Sequence, residues 1–176
     1  MWFWVLSLVF LSACGEIAYT PKPKGYNRID LPKQEYTTLQ GDYPYQFELS
    51  KWAVVRPDSS KIKEDYWIHL IYPLFRADIQ LTYKDIEKNP KFFGEYIDDA
   101  HKLTSKHQIK AYAIEEQIFR TEKGKTAAIY ILEGEVPSQF QFYITDSTKH
   151  FLRGVEYMKK DAMRLLNTLE WKKINP

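Results

Sequence analysis

Cys14 is the residue whose neighbours most clearly specify a reaction. Leu11-Ser12-Ala13-Cys14 sets a branched apolar residue and two small residues before the only cysteine of the chain. That is the pattern of a bacterial lipobox, in which the cysteine thiol receives a diacylglyceryl group and the peptide bond before it is cut. A peptidase pocket that admits only small side chains at Ser12 and Ala13 would place Cys14 at the scissile bond. From Trp2 to Leu11 the chain is uncharged and apolar over about 10 residues, which suits a signal h-region of 7–15 and falls short of the roughly 20 needed to span a bilayer. The sequence therefore predicts a signal peptide at residues 1–13 and a bilayer anchor through Cys14 carrying acyl chains such as palmitate.

Other chemistry is hard to find. Asp146, Ser147 and His150 are the only local set with the residue types of a catalytic triad. They fall in a short polar stretch between two strand patterns, where Asp and Ser bond their own backbone, and no nucleophile-elbow glycines surround Ser147. His101 and His107 are six residues apart, not the four that would align two metal ligands on one helix face. Asp98-Asp99 and Glu115-Glu116 are adjacent pairs that point in different directions on a helix or a strand. No phosphate-cradling loop can be built from the 7 glycines as they are spaced. The expectation is a protein that is not an enzyme, with no cofactor and no metal.

The most suggestive surface is polar. Along Gln139 to Thr145, Phe140, Phe142 and Ile144 alternate with Gln139, Gln141, Tyr143 and Thr145, and His150 and Arg153 follow on the next strand pattern. The simple interpretation is the wet side of an antiparallel sheet. The functional one is a partner-binding face, because amide, phenol and guanidinium groups suit hydrogen-bonded recognition and Tyr and Arg are frequent hot spots.

Composition narrows the classes. Residues 1–13 carry no charged side chain, so the net charge of +2 belongs to the mature chain, and charged residues of both signs are nearly balanced at 27%. A nucleic-acid binder would show clustered excess Lys and Arg, so nucleic acid is excluded as a partner. A single core is the expectation at this length, burying about 70% of the unfolded surface. With Cys14 acylated there is no disulfide to support it. Aromatics reach 16%, with 13 Tyr and 10 Phe, which favours strands.

The elements that must position these residues follow in order. Residues 14–42 are expected to be an extended tether centred on Pro21-Lys22-Pro23-Lys24-Gly25-Tyr26, solvated and stretched at about 3 Å per residue. Tyr26 and Arg28 are candidates to dock on a partner. Residues 43–176 are expected to be one domain. Tyr45, Phe47 and Leu49 alternate with polar residues, then Trp52 to Arg56, Tyr66 to Tyr72 and Ala77 to Tyr83 form strand patterns. Asn89-Pro90 starts a helix whose stripe is Phe93, Tyr96, Ile97, Ala100, Leu103 and Thr104. Period two returns from Tyr112 to Phe119, turns at Lys123-Gly124, and runs from Ala127 to Ile131 as a hairpin. Two more strands end at Tyr157, and Met158, Ala162, Leu165, Leu166 and Leu169 mark a second helix. With no repeated strand-helix unit, the expected class is α+β: a mostly antiparallel sheet with two packed helices.

These stretches together resemble the gliding-motility-associated lipoprotein D family of Bacteroidota. The resemblance runs from the lipobox through Tyr19-Thr20-Pro21-Lys22-Pro23-Lys24-Gly25-Tyr26-Asn27-Arg28-Ile29, Tyr43 to Glu48 and Ile79 to Lys84. It is most distinctive in Ser138 to Ser147 with His150-Phe151-Leu152-Arg153-Gly154. It implies a non-enzymatic accessory of gliding motility and the linked type IX secretion machinery, anchored in the outer membrane, whose partners are other envelope proteins of that apparatus; separately, the domain is expected on the periplasmic face. It implies no catalytic residue. The element pattern also looks loosely like the antiparallel sandwich of the photosystem II P-protein and Mog1-like group. The alternative is an envelope enzyme or ligand-binding lipoprotein acting on cell-wall or glycan substrates from a Tyr- and Trp-lined cleft.

Overall fold

The computed structural model describes residues 33–86, 90–156 and 159–173, all within one compact unit, Lys33–Pro176. Three short strands come first: β1 (Tyr36–Thr38), β2 (Tyr45–Gln46) and β3 (Glu48–Ser50). Next are β4 (Val54–Pro57), β5 (Ile68–Tyr72) and β6 (Ala77–Asp85), followed by helix α1 (Pro90–Ser105) and a 3-10 turn (Lys106–Ile109). The chain continues through β7 (Ala111–Arg120), β8 (Thr126–Gly134), β9 (Phe140–Thr145) and β10 (His150–Glu156), and ends in helix α2 (Lys159–Thr168) and β11 (Glu170–Trp171). Strands β4 to β10 form one seven-stranded sheet in the order β4-β5-β6-β10-β9-β8-β7, and each of its pairings is antiparallel. The α+β class follows from this arrangement. The central pairing, β6 with β10, joins the two halves of the sheet and sets His150 opposite Asp85.

Helices and small strands cover the sheet on both faces, because alternate residues of its inner strands are apolar on each side. On one face Ile79, Leu81, Phe140, Phe142, Ile144 and Leu152 pack against Ala162, Leu165, Leu166 and Leu169 of α2 and against Tyr45, Phe47 and Leu49. On the other, Tyr130, Leu132, Tyr143 and Phe151 pack against Ala100, with Phe93, Tyr96 and Ile97 of α1 at the margin. The amphipathic spacing of α1 thus closes the second face.

Close approach fixes one glycine in the middle of this sheet. A Cβ on Gly154 would lie 2.1 Å from Cζ of Phe142, its pairing partner on β9, so the Phe142 ring occupies the space of the missing side chain. At the β7–β8 turn Gly124 has φ +72, and its N–H donates to Thr121 O at 2.8 Å. This is the hairpin turn that Lys123-Gly124 indicates.

The fold begins before the expected domain start. Tyr36–Thr38, inside the stretch taken from sequence as tether, pairs with β3. The Tyr36 hydroxyl donates to Asp161 Oδ1 at 3.3 Å, its ring lies 5.0 Å from the Arg164 guanidinium, and Arg164 Nε bonds Glu48 Oε2 at 2.8 Å. These contacts tie β1 and β3 to α2. Asp161 is buried in the first turn of that helix. Burial raises its carboxyl above the ordinary value, opposed by hydrogen bonds from Tyr72 and Tyr36.

Candidate functional site

Cys14, Tyr26 and Arg28 lie outside the described residues. The other residues singled out from sequence fall in two places. Gln141, Tyr143, Thr145 and Arg153 project from β9 and β10, and helix α1 packs across that side of the sheet. Gln141 is 1% exposed, Tyr143 6% and Thr145 2%. This corrects the expectation of a wet face: the alternation is as expected, but the polar side is the second interior of the domain. Gln139 stays exposed just before β9.

The polar groups beneath α1 are joined to one another. Gln141 Oε1 accepts from Arg153 Nη2 at 3.0 Å. Thr104 Oγ1 lies 3.3 Å from the same oxygen and 2.9 Å from Ala100 O, so its single proton is shared between the two. Burial pushes the Arg153 guanidinium down from its ordinary value, opposed chiefly by the carboxylate of Asp99 on α1. Burial likewise raises the Tyr130 and Tyr143 phenols, reinforced by the nearby Glu116 carboxylate. His101 stands edge-on to the Tyr130 ring at 5.6 Å. Gln141 Nε2 is buried with no hydrogen-bond partner among the described residues. Arrangements of this kind hold a helix in one register on a sheet.

His150 belongs to the second place, the end of the sheet where β6 finishes and β10 starts. Its Nδ1 lies 2.7 Å from the Tyr83 hydroxyl, and its ring stacks on Trp171 at 4.7 Å and 20°. The Asp146-to-Lys149 turn presents it. Asp146 Oδ1 accepts the backbone N–H groups of Thr148, Lys149 and His150 at 3.1, 2.9 and 3.0 Å. Ser147 takes φ +65, and its N–H donates to Thr145 Oγ1 at 2.9 Å. Asp146 is therefore a turn-forming carboxylate: burial raises its pKa, the three backbone donors outweigh this, and the net shift is downward. The His150 ring turns toward Tyr83 and Trp171, so Asp146, Ser147 and His150 do not form a relay.

Two adjoining cavities, about 420 and 370 Å³, meet at Tyr83 and Asp85 in this region. Glu64, Asp65 and Tyr66 line the first, and Lys149, His150, Trp171, Lys172 and Lys173 the second. Together they form a trough with an aromatic floor, acidic at one end and basic at the other. The floor is held firmly. Tyr45 donates its hydroxyl to Tyr66 O at 2.5 Å, Trp67 Nε1 donates to Tyr83 O at 2.8 Å, and Tyr66 stands edge-on to Tyr83 at 5.8 Å. Tyr66 itself has φ +66, a costly conformation for a bulky residue. Such a trough suits a ligand with an apolar or ring face and groups of both charges. Sequence reasoning found only His150 of this set. The others come together through the β6–β10 register and the β11–β2 pairing, which no local pattern reveals.

Among the described residues no three His, Cys, Asp or Glu side chains converge as metal ligands, and no helix is long and apolar enough to cross a membrane.

Comparison with known proteins adds identity. No curated protein matches the chain. Among solved structures, the solution structure of the cyanobacterial PsbP protein CyanoP from Synechocystis sp. PCC 6803 aligns over 85% of this chain and 98% of its own, with a TM-score of 0.43 and 9% identity. Residues 16–171 match the family described as gliding motility lipoprotein GldD. That match spans nearly all of the described domain and the distinctive run from Ser138 to Gly154, and on it the chain belongs to the gliding motility lipoprotein GldD family, a family of accessory lipoproteins of gliding motility.

Proposed function

We propose that the protein is a lipid-anchored accessory of the outer membrane, held there by acylated Cys14 on the periplasmic face, that binds and stabilises other components of the gliding and type IX secretion machinery without chemistry of its own. The observation that carries this reading is the family match over residues 16–171, joined to a lipobox ending at Cys14. Each buried acyl methylene contributes about 0.8 kcal/mol, so two or three chains on one cysteine hold far more firmly than a single myristoyl group. Affinity capture of a tagged full-length copy from crosslinked, detergent-solubilised envelopes tests it. Recovery of the same gliding or secretion components from repeated preparations, lost with a Cys14→Ala copy, is the expected result. Recovery of none would oppose it.

The trough between Glu64 and Lys173 supports a second reading, a lipoprotein that holds a cell-wall or glycan ligand. Titration of the full chain with peptidoglycan fragments and oligosaccharides separates the two. Binding that weakens in Trp171→Ala favours the second, and no binding at millimolar ligand retires it.

A further inference from the structure

The two edges of the main sheet are built differently. The outer strand at one end, β4, is four residues long and ends in Pro57, and its shortness and its proline both discourage another strand from pairing there. At the other end β7 runs for ten residues with no Pro, its charges being Glu115, Glu116 and Arg120, and among the described residues nothing pairs with its outer edge. A register shift lies between Ala111 and Ala113, after which Ala113 to Arg120 pairs with Glu133 to Thr126 without a break. That leaves an edge of eight regularly paired residues, Ala113 to Arg120. Three large apolar side chains accompany it and are exposed: Ile109 at 92%, Tyr112 at 83% and Ile118 at 65%.

A long open edge with exposed apolar side chains is an aggregation hazard unless something covers it. We infer that the outer edge of β7 accepts an extended strand from another envelope protein, a strand with Lys or Arg opposite Glu115 and Glu116 and an apolar residue opposite Ile118. Main-chain hydrogen bonds would supply affinity, and the side chains on the two faces would supply selectivity. Charge favours a basic strand over a second copy in full register. A second copy pairing β7 with β7 about a two-fold axis at mid-strand would set Glu115 against Glu116 of its twin on each face, and directly opposed like charges are unfavourable. A basic strand meets the same carboxylates with opposite charge. This rests on the partner-binding reading above and gives it a place on the molecule at the outer edge of the sheet, two strands from Gln141.

Capped eight-residue peptides test the edge directly. One alternates Lys with Val and Thr, and its twin has Glu for every Lys. With the full acylated chain in detergent, the basic peptide should slow hydrogen exchange at least tenfold at the β7 amides that do not bond β8, and should bind at least tenfold tighter than the acidic twin. Ile118→Lys should abolish binding with an unchanged melting temperature, while Ile62→Lys, at another exposed apolar position, should bind as wild type. Equal binding of the two peptides, or protection elsewhere than β7, overturns the inference. So does a photo-crosslinker at position 117 that captures only a second copy in cells. If Ile118→Lys cells glide and secrete normally while the deletion strain does not, the edge inference fails and the accessory reading stands.

Discussion

The Tyr83 hydroxyl and the His150 imidazole are hydrogen-bonded at 2.7 Å across the β6–β10 pair, and the His150 ring is stacked on Trp171. This contact links the end of the main sheet to the last strand of the fold. Tyr83→Phe keeps the ring packing and removes the bond. A loss of about 1 kcal/mol is expected, since a net hydrogen bond contributes about that much, seen as a drop of about 3 °C in melting temperature. An unchanged melting temperature would show that the bond contributes nothing to the fold.

Gly154 is required by Phe142. Gly154→Ala drives a Cβ into the ring, and a cost of about 1–3 kcal/mol is expected from overpacking. Phe142→Leu in the same chain should recover part of it, giving a coupling of about 0.5–3 kcal/mol in a double-mutant cycle of chemical denaturation. Gly94 is the contrast. It is an exposed residue of α1 with nothing within 4 Å of its would-be Cβ, so Gly94→Ala should stabilise by about 0.5–1 kcal/mol.

The Asp146 turn carries a pH signature. Its folded pKa lies below the ordinary 3.8 because three backbone donors outweigh burial, so its contribution is fully present above that ordinary value and is lost as pH falls through the folded pKa. Asp146→Ala should therefore cost about 1–2 kcal/mol at pH 7. The gap to wild type should narrow as the solution is acidified below the ordinary Asp range, and urea unfolding at several pH values reads both. A gap that stays constant with pH would deny the carboxylate this role.

Beneath α1, Gln141 is the acceptor that satisfies Arg153. Gln141→Leu leaves that half-buried guanidinium without it, and a loss of about 1–3 kcal/mol is expected. Thr104→Val should cost less, because the Arg153 bond to Gln141 remains. Amide exchange should show the loosening concentrated in α1. Uniform loosening throughout the domain would mean that these bonds do not specifically fasten the helix.

Much of this was legible from residue spacing. Alternating Ile79, Leu81 and Tyr83 lie within β6, and Asn89-Pro90 announces the helix that runs Pro90–Ser105. Period and turn chemistry are local, so they survive without knowledge of the fold. The pairs β1–β3 and β11–β2 were not legible, since two or three residues carry no period and gain their place from partners far along the chain. Gln141 misled for a related reason. A buried polar residue with hydrogen-bond partners reads in sequence like an exposed one, and only the docking of α1 distinguishes them. The trough escaped because Tyr66, Asp85, Lys149 and Trp171 stand on four separate segments.

The most direct test of the central claim is a deletion strain complemented with wild type or with Cys14→Ala, scored together for spreading on agar and for protein secreted into the medium. The account predicts that deletion abolishes spreading or secretion, that wild type restores it, and that Cys14→Ala does not although the domain folds. Normal spreading and secretion in the deletion strain, or full rescue by the unanchored chain, would contradict it.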